Sequence, residues 1–504
     1  MQAAETDLPG APTSLWLATT PETHLPPLAP GLTVDVAVLG GGIAGLTAAA
    51  LLVEAGKSVA VIEARRIVEG VTGHTTAKLT SLHGLVYDRL IRSFGEDRAR
   101  AYAEANQAAI DLVESRVQQQ GIDCDFRRTD AYTCVCAPDQ IGKVEAEVEA
   151  ALRVGLPAAF THQAPLPFPT AAAVRLTGQA RFHPRKYLLA LAEGIREAGG
   201  RIFEQTRALD LTEGEPCTVE TDRGTLSARE VIIATHFPSI DRALYFSRLA
   251  PYRSYVLAVR LDGPVPEGMF LGEDTFFSLR PHPGPQGELL LIGGEKHKAG
   301  QGGDTIARYR RVEEWARERF PVASVEYRWS TQDNWTLDGV PYIGRAAPGN
   351  EHLYVATGFA GWGMTGGTVA GMLLRDLITG KENRWAELYD PNRVNRESLS
   401  SFVRENADVA RHFVGDRLAR REAISLAPGE GAVEELDGEK VAAYRDAGGT
   451  LHCFKPYCTH MGCVLNWNPA EKSWDCPCHG SRFAAEGSVL HGPAVKALER
   501  VAPD

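Results

Sequence analysis

The feature that most constrains this chain lies near its C-terminal end. There Cys458-x-His460-x-x-Cys463 is followed, after twelve residues, by Cys476-x-Cys478-His479-x-Ser481. Each box offers one Cys and one His to a common centre. A [2Fe-2S] cluster takes such a mixed set when two imidazoles replace two thiolates on one of its irons. Cys458 and Cys476 are assigned to one iron, His460 and His479 to the other. Cys463 and Cys478 are left over, one per box, and two loops converging on a cluster can bring them to disulfide distance. Zinc is the rival reading, since two Cys and two His also make a tetrahedral site. Zinc fingers and ribbons, however, usually space their ligands C-x2-4-C and H-x3-5-H, which these boxes do not.

These boxes resemble the Rieske family over roughly the last ninety residues. Gly492-Pro493-Ala494 looks like the proline loop that covers the cluster in that family. The resemblance implies a small all-β domain in which Ser481 donates a hydrogen bond to a cluster sulfide and Pro493 lies over the cluster. High-potential members carry a Tyr two positions after that serine, and here the residue is Phe483. Hydrogen bonds to the sulfurs stabilise the reduced cluster, so the potential is expected below the top of a range running roughly from -150 to +300 mV.

A second signature stands near the other end. The apolar run from Val34 to Leu39 leads into Gly40-x-Gly42-Ile43-Ala44-Gly45, an Ala/Leu-rich helical stretch to about Gly56, a second apolar run from Ser58 to Ile62, and then Glu63 and Ala64. This is a β-α-β unit. Gly40 allows the tight turn, Gly42 lets backbone approach a pyrophosphate, and Gly45 permits close helix-on-strand packing. Glu63 is placed to accept hydrogen bonds from ribose hydroxyls. No second glycine fingerprint exists, because Gly293-Gly294 lacks a third glycine and a following helix. One dinucleotide site is expected.

Downstream, the hydroxyl-rich loop from Gly70 to Ser81, with Thr75, Thr76 and Thr80, can wrap a flavin's diphosphate and ribitol. His74 reads as a loop histidine bonded to backbone, with contact to the flavin, even a covalent one, as the alternative. A later segment runs through Asp333, Trp335, Asp338 and Gly344 to Gly358, Gly361, Trp362, Gly363, Met364 and Thr365. It again presents strand, glycine loop and helix, with amides suited to the charge a flavin gathers on reduction. Both segments resemble the D-amino-acid oxidase (glycine oxidase) superfamily, over about Val34 to Gly380. The resemblance implies an α/β Rossmann-type FAD-binding domain with an α+β substrate domain built on an antiparallel sheet. It makes FAD the ligand.

The expected organisation is an arm over 1–33 packed on the surface, a flavoprotein over 34–380, a linker over 381–411 and the Rieske domain over 412–504. FAD-binding parts are placed at about 34–95, 176–240 and 331–380, and substrate or cap parts at about 96–175 and 241–330. Short β runs between Tyr252 and Glu295 suggest the substrate sheet. Arg253, Tyr255, Arg280 and Trp362 are its candidate substrate residues, and either arginine suits a substrate carboxylate.

The formal charge of -11 and the lack of any Lys/Arg run argue against nucleic acid. No apolar run is long enough to span a membrane. The first 33 residues hold six prolines and no basic residue ahead of an apolar block, unlike a secretion signal. Nine cysteines, four of them in the boxes and Cys453 just upstream, fit a reduced, cytoplasmic protein. The superfamily resemblance implies oxidation of a C–N bond of an amine or amino acid by hydride transfer to FAD. Electrons would then leave singly through the cluster, whose two exposed His edges would be the exit, to an external protein or quinone. Two alternatives stay open: the cluster as an inlet from a ferredoxin-like donor for a reduction or oxygenation, and an electron-transfer module without substrate chemistry.

Overall fold

A computed structural model describes residues 8–501 except 242, 394–395, 419–425 and 437–438. The first sheet runs Tyr342–Arg345, Leu353–Thr357, Gly224–Ile233, Leu32–Leu39, Val59–Ile62, Arg201–Phe203. Along this path all neighbours are parallel except the first pair, and Cys217–Thr221 and Ala208–Thr212 extend the sheet as antiparallel strands beside Gly224–Ile233. Its central strands are buried on both faces, which is why Val36 to Leu39 reads as an unbroken apolar run. The helix Ile43–Glu54 is apolar on nearly every side and is buried accordingly. The helix Gly363–Ile378 lies against it so closely that a Cβ on Gly371 would meet Thr47 Cγ2 at 2.6 Å.

The second sheet has nine strands. Its path is Val322–Thr336, Leu249–Leu261, Gly287–Lys298, Phe277–Gly284, Met269–Gly272, Arg127–Val135, Ala172–Arg181, Lys78–Leu79, with Ala158–Thr161 paired to Ala172–Arg181. It is antiparallel except where Met269–Gly272 meets Arg127–Val135. In this sheet Arg127–Val135 and Ala158–Thr161 come from the expected substrate or cap part, whereas Lys78–Leu79 and the end of Ala172–Arg181, beyond the expected border at 176, come from parts expected to bind FAD. Helices Glu96–Gln120, Ile141–Arg153 and Thr305–Arg319 accompany it.

The expected surface arm is also corrected, for the residues described; residues 1–7 lie outside them. Leu15 and Trp16 are buried in the core, Trp16 completely. Ser14 caps the short helix Leu15–Ala18 and donates to Gly73 O, and Trp16 Nε1 donates to Thr75 O at 2.6 Å. Two large apolar side chains among the prolines drive this burial.

In the linker, the helix Arg396–Leu418 runs past the expected border at 411 and is tied down by Lys298, 2.7 Å from both Glu405 and Asp408. Beyond it stand two four-stranded antiparallel sheets. One holds Gly431–Leu436, Glu439–Arg445, Leu451–Phe454 and Arg500–Val501; the other holds Asn466–Asn468, Ser473–Asp475, Arg482–Ala484 and Val489–His491. This all-β unit sits against the edge strand Val322–Thr336. Gln332 Nε2 donates to Gly480 O at 2.9 Å, and Glu471 takes charged hydrogen bonds from both Arg253 and Arg482. At Gly300 the contact is so close that a Cβ would fall 2.5 Å from the Cys476 backbone.

Candidate flavin and cluster sites

The first glycine turn is tight for identifiable reasons. Gly40 has φ +114°, and a Cβ there would lie 2.4 Å from Ala234 O; one on Gly45 would lie 2.0 Å from Gly40 O. A Cβ on Gly42 would press on Thr72 Oγ1 at 3.0 Å, so this turn too leaves little room for a side chain. The Glu63 carboxylate accepts from Gly41 N and Arg65 N, both at 2.9 Å. Burial raises its pKa against the pull of these amides.

A long cavity starts at this turn and ends against the second sheet. Of the residues singled out for FAD, Gly40, Gly42, Ile43, Ala44, Glu63, Ala64, Thr75, Thr76, Gly361, Trp362, Gly363 and Met364 line it. Gly45, Thr80, Gly344, Gly358 and Thr365 stand behind the wall. Thr80 donates to Gln179 Oε1, Thr365 donates to Thr80 O, Gly344 packs under Pro391, and Gly358 backs onto Thr336. Gly42 on the cavity wall and the amides at the start of the helix Gly363–Ile378 fit a dinucleotide. His74 bonds its own loop through Gly70 O.

The substrate candidates divide. Trp362 is on the cavity wall and stacks on His83 at 4.5 Å. Arg253 touches the wall, but its guanidinium is engaged by Ser330, Gln332 and Glu471. Arg280 is turned away as a substrate clamp: it donates to Ala77 O at 2.6 Å, Thr76 O at 3.1 Å and Phe182 O at 3.2 Å. It thereby braces a loop in which Ala77 has a strained φ of +55°. Tyr255 is fully buried off the cavity, its hydroxyl bonded to His297 at 3.0 Å.

Sequence reasoning gave no role to the charged pair that does line this end, Lys296 and Asp333. Burial pushes Asp333 up to about 6, and burial pushes Lys296 down to about 8, although each attracts the other. Lys296 Nζ lies 3.5 Å from the Trp335 ring centroid and 5.0 Å from that of Tyr252. The only sequence signal was their position at the ends of strands facing a glycine loop.

In the all-β unit, Cys458 and Cys476 are buried together; contact with Cys476 holds the Cys458 thiol down, and contact with Cys458 holds Cys476 up. The rings of His460 and His479 are 5.2 Å apart, and the Nδ1 atom of each is buried without a hydrogen-bond partner. Two orphaned imidazole nitrogens beside two thiols are costly unless a metal takes them, so the donor set fits a cluster. Cys463 and Cys478 form a disulfide with Cα atoms 6.5 Å apart. The Ser481 hydroxyl lies on the Cys458 sulfur and accepts from Ala494 N at 3.0 Å, tying the Gly492-Pro493 loop to the cluster side. Phe483 is fully buried.

The expectation that both ligand histidines are exposed is corrected. His479 is 2% exposed, because Phe246 packs on its ring at 5.6 Å and Phe237 at 6.5 Å. His460, half-buried, meets Phe246 at 6.4 Å. Phe237 also lines the flavin cavity, as do Leu490 and His491 of the strand Val489–His491 and Gly492, Ala494 and Val495 of the cluster-covering loop. The sequence held no sign of this, since it arises only when the two domains dock.

Comparison with known proteins agrees with both halves. The FAD dependent oxidoreductase family matches residues 35–377, and the Rieske [2Fe-2S] domain matches residues 418–502. A Bacillus subtilis protein named for a Rieske 2Fe-2S iron-sulfur centre, YhfW, is 39% identical over 97% of this chain and 98% of its own. The gamma-glutamylputrescine oxidoreductase of Escherichia coli is 27% identical over 70% of this chain and 85% of its own. Glycine oxidase from Geobacillus kaustophilus superposes with a TM-score of 0.62 at 19% identity, covering 72% of this chain and all of that one, and so shares the fold. The chain belongs to the FAD dependent oxidoreductase family and carries a C-terminal Rieske domain, with FAD and a [2Fe-2S] cluster as its cofactors.

Proposed function

We propose that this enzyme oxidises a C–N bond of a small amine or amino acid and passes the electrons singly through its Rieske domain to an external acceptor protein or quinone. FAD supplies the two-electron acceptor and the cluster the one-electron carrier. The observation that carries this reading is the shared wall: Phe237 lies on the flavin cavity and against His479, and the cluster-covering loop closes the same cavity.

The chain's own residues have definite tasks. Tyr252, Phe276, Trp335, Phe359 and Trp362 give the substrate end an aromatic lining that excludes water from the reacting carbon. An amine arrives protonated and must lose that proton before its carbon gives up hydride. Lys296, held down to about 8, is the group placed to take it, and Asp333 keeps the resulting charge paired. Free buried thiols at Cys124, Cys134, Cys217 and Cys453 support a reduced, cytoplasmic setting. No helix among the described residues is long and apolar enough to cross a membrane.

The test is an anaerobic titration with amines and amino acids, followed by flavin absorbance and low-temperature EPR. Bleaching by one compound class, followed by a reduced-Rieske signal, is expected. Reduction of cluster and then flavin by a ferredoxin, with no compound bleaching the flavin, would reverse the direction of flow.

A further inference from the structure

His236 stands just past the strand Gly224–Ile233 with φ +67°, a left-handed conformation that a β-carbon disfavours. Two bonds hold it there, from Asn334 Nδ2 at 3.2 Å and from the Thr357 hydroxyl, both to its carbonyl oxygen. These bonds also determine where its ring proton lies. A carbonyl only accepts, so the amide NH2 of Asn334, not its oxygen, must face this residue. The same Nδ2 lies 3.2 Å from His236 Nδ1. An N–H on that Nδ1 would confront another N–H; the nitrogen is therefore bare, and the neutral ring keeps its proton on Nε2. His491 Nε2, 3.1 Å from the same bare Nδ1, must then be a donor.

Both rings are neutral: burial pushes His236 down to about 4, and burial, with His236 beside it, holds His491 well below the usual histidine range. Both line the flavin cavity, and His236 Nε2 has no protein partner among the described residues. Asn334 fixes the proton but grips the ring from one side. His491 supplies the second hold, and it comes from the strand Val489–His491, beside the loop that covers the cluster.

We propose that His236 presents its Nε2–H to the flavin and that His491, delivered by the Rieske domain, is the positioning residue that holds it there. The flavin site is then incomplete without the Rieske domain. A donor aimed at a ring that gains negative charge on reduction stabilises the reduced form, so this contact raises the flavin potential. The inference needs FAD in this cavity but not the amine reading, and its test uses no substrate.

The test is a mediated dithionite titration of the flavin in the full, cofactor-loaded chain. His236→Phe is expected to shift the oxidised-to-reduced equilibrium at least tenfold toward oxidised, about 30 mV for a two-electron couple. His491→Phe shifts it the same way by less, and the double variant matches His236→Phe alone, because His491 acts only through His236. His491→Gln, which keeps an N–H donor, retains the wild-type potential. An unchanged reduced-cluster EPR signal certifies that the domain is intact. No shift in His236→Phe, or a His491→Phe shift that adds in full to it, overturns the proposal. Were His491→Phe to lose its cluster, His236→Phe and His491→Gln still decide it.

Discussion

The two cofactor sites are built on opposite plans. The cluster site draws its ligands from two loops within Cys458 to His479 and its cover from residues shortly after. The flavin cavity gathers residues from Leu39 to Val495, so the last strands of the chain close a site opened by the first. A local site can form in its own domain, whereas the distributed one depends on every contact that docks the halves. The asymmetry should be visible in what each lesion removes.

The largest effects come from destroying one site and watching the other. Cys458→Ser is expected to abolish the cluster EPR signal and leave FAD content near wild type. Gly45→Ala, which drives a methyl to 2.0 Å from Gly40 O, is expected to abolish FAD binding and leave the cluster. If Cys458→Ser also released the FAD, the cluster site would not be local in its effects.

Docking is the next target. Burial alone would raise the Glu471 pKa, but Arg253 and Arg482 outweigh it and hold the carboxyl down to about 2. Its folded value thus lies below the usual 4.5. The stabilisation is complete above about 4.5 and is lost as pH falls through the folded value near 2. Glu471→Gln leaves the Arg253 guanidinium, 3% exposed, without its counter-charge and is expected to cost about 3 kcal/mol. Denaturation followed separately by flavin and cluster absorbance checks this, with the flavin signal lost first. A comparable loss, about 3 kcal/mol, is expected when Cys463→Ser and Cys478→Ser open the 15-residue disulfide loop. That loss should fall on the cluster signal first.

The smallest effect concerns chemistry at the substrate end. Because Lys296 is set at about 8, kcat/KM should rise with pH through that value as its neutral form appears. Lys296→Met is expected to remove this limb and lower kcat/KM at pH 9 about tenfold. A retained limb would assign the proton to another group.

The same contrast explains what could be read from the sequence. The cluster ligands and the turn at Gly40 to Gly45 were legible because a local chemical requirement is written into adjacent residues. Trp16 reads as one aromatic in a proline-rich arm, and only the groove beside Gly73 and Thr75 shows why it is buried. Arg253 and Arg280 looked like carboxylate clamps by residue type; their partners, Glu471 and the carbonyls of Thr76, Ala77 and Phe182, lie up to 218 positions away. His236 and His491, 255 positions apart, carried no mark of each other.

The most direct test of the central claim is single-turnover stopped-flow under anaerobic conditions, with a substrate that bleaches the flavin and absorbance read at flavin and cluster wavelengths. If the docked halves form one electron-transfer unit, cluster reduction follows flavin reduction with a first-order rate independent of protein concentration. A rate that scales with protein concentration, or a cluster that stays oxidised while the flavin is reduced, would contradict it.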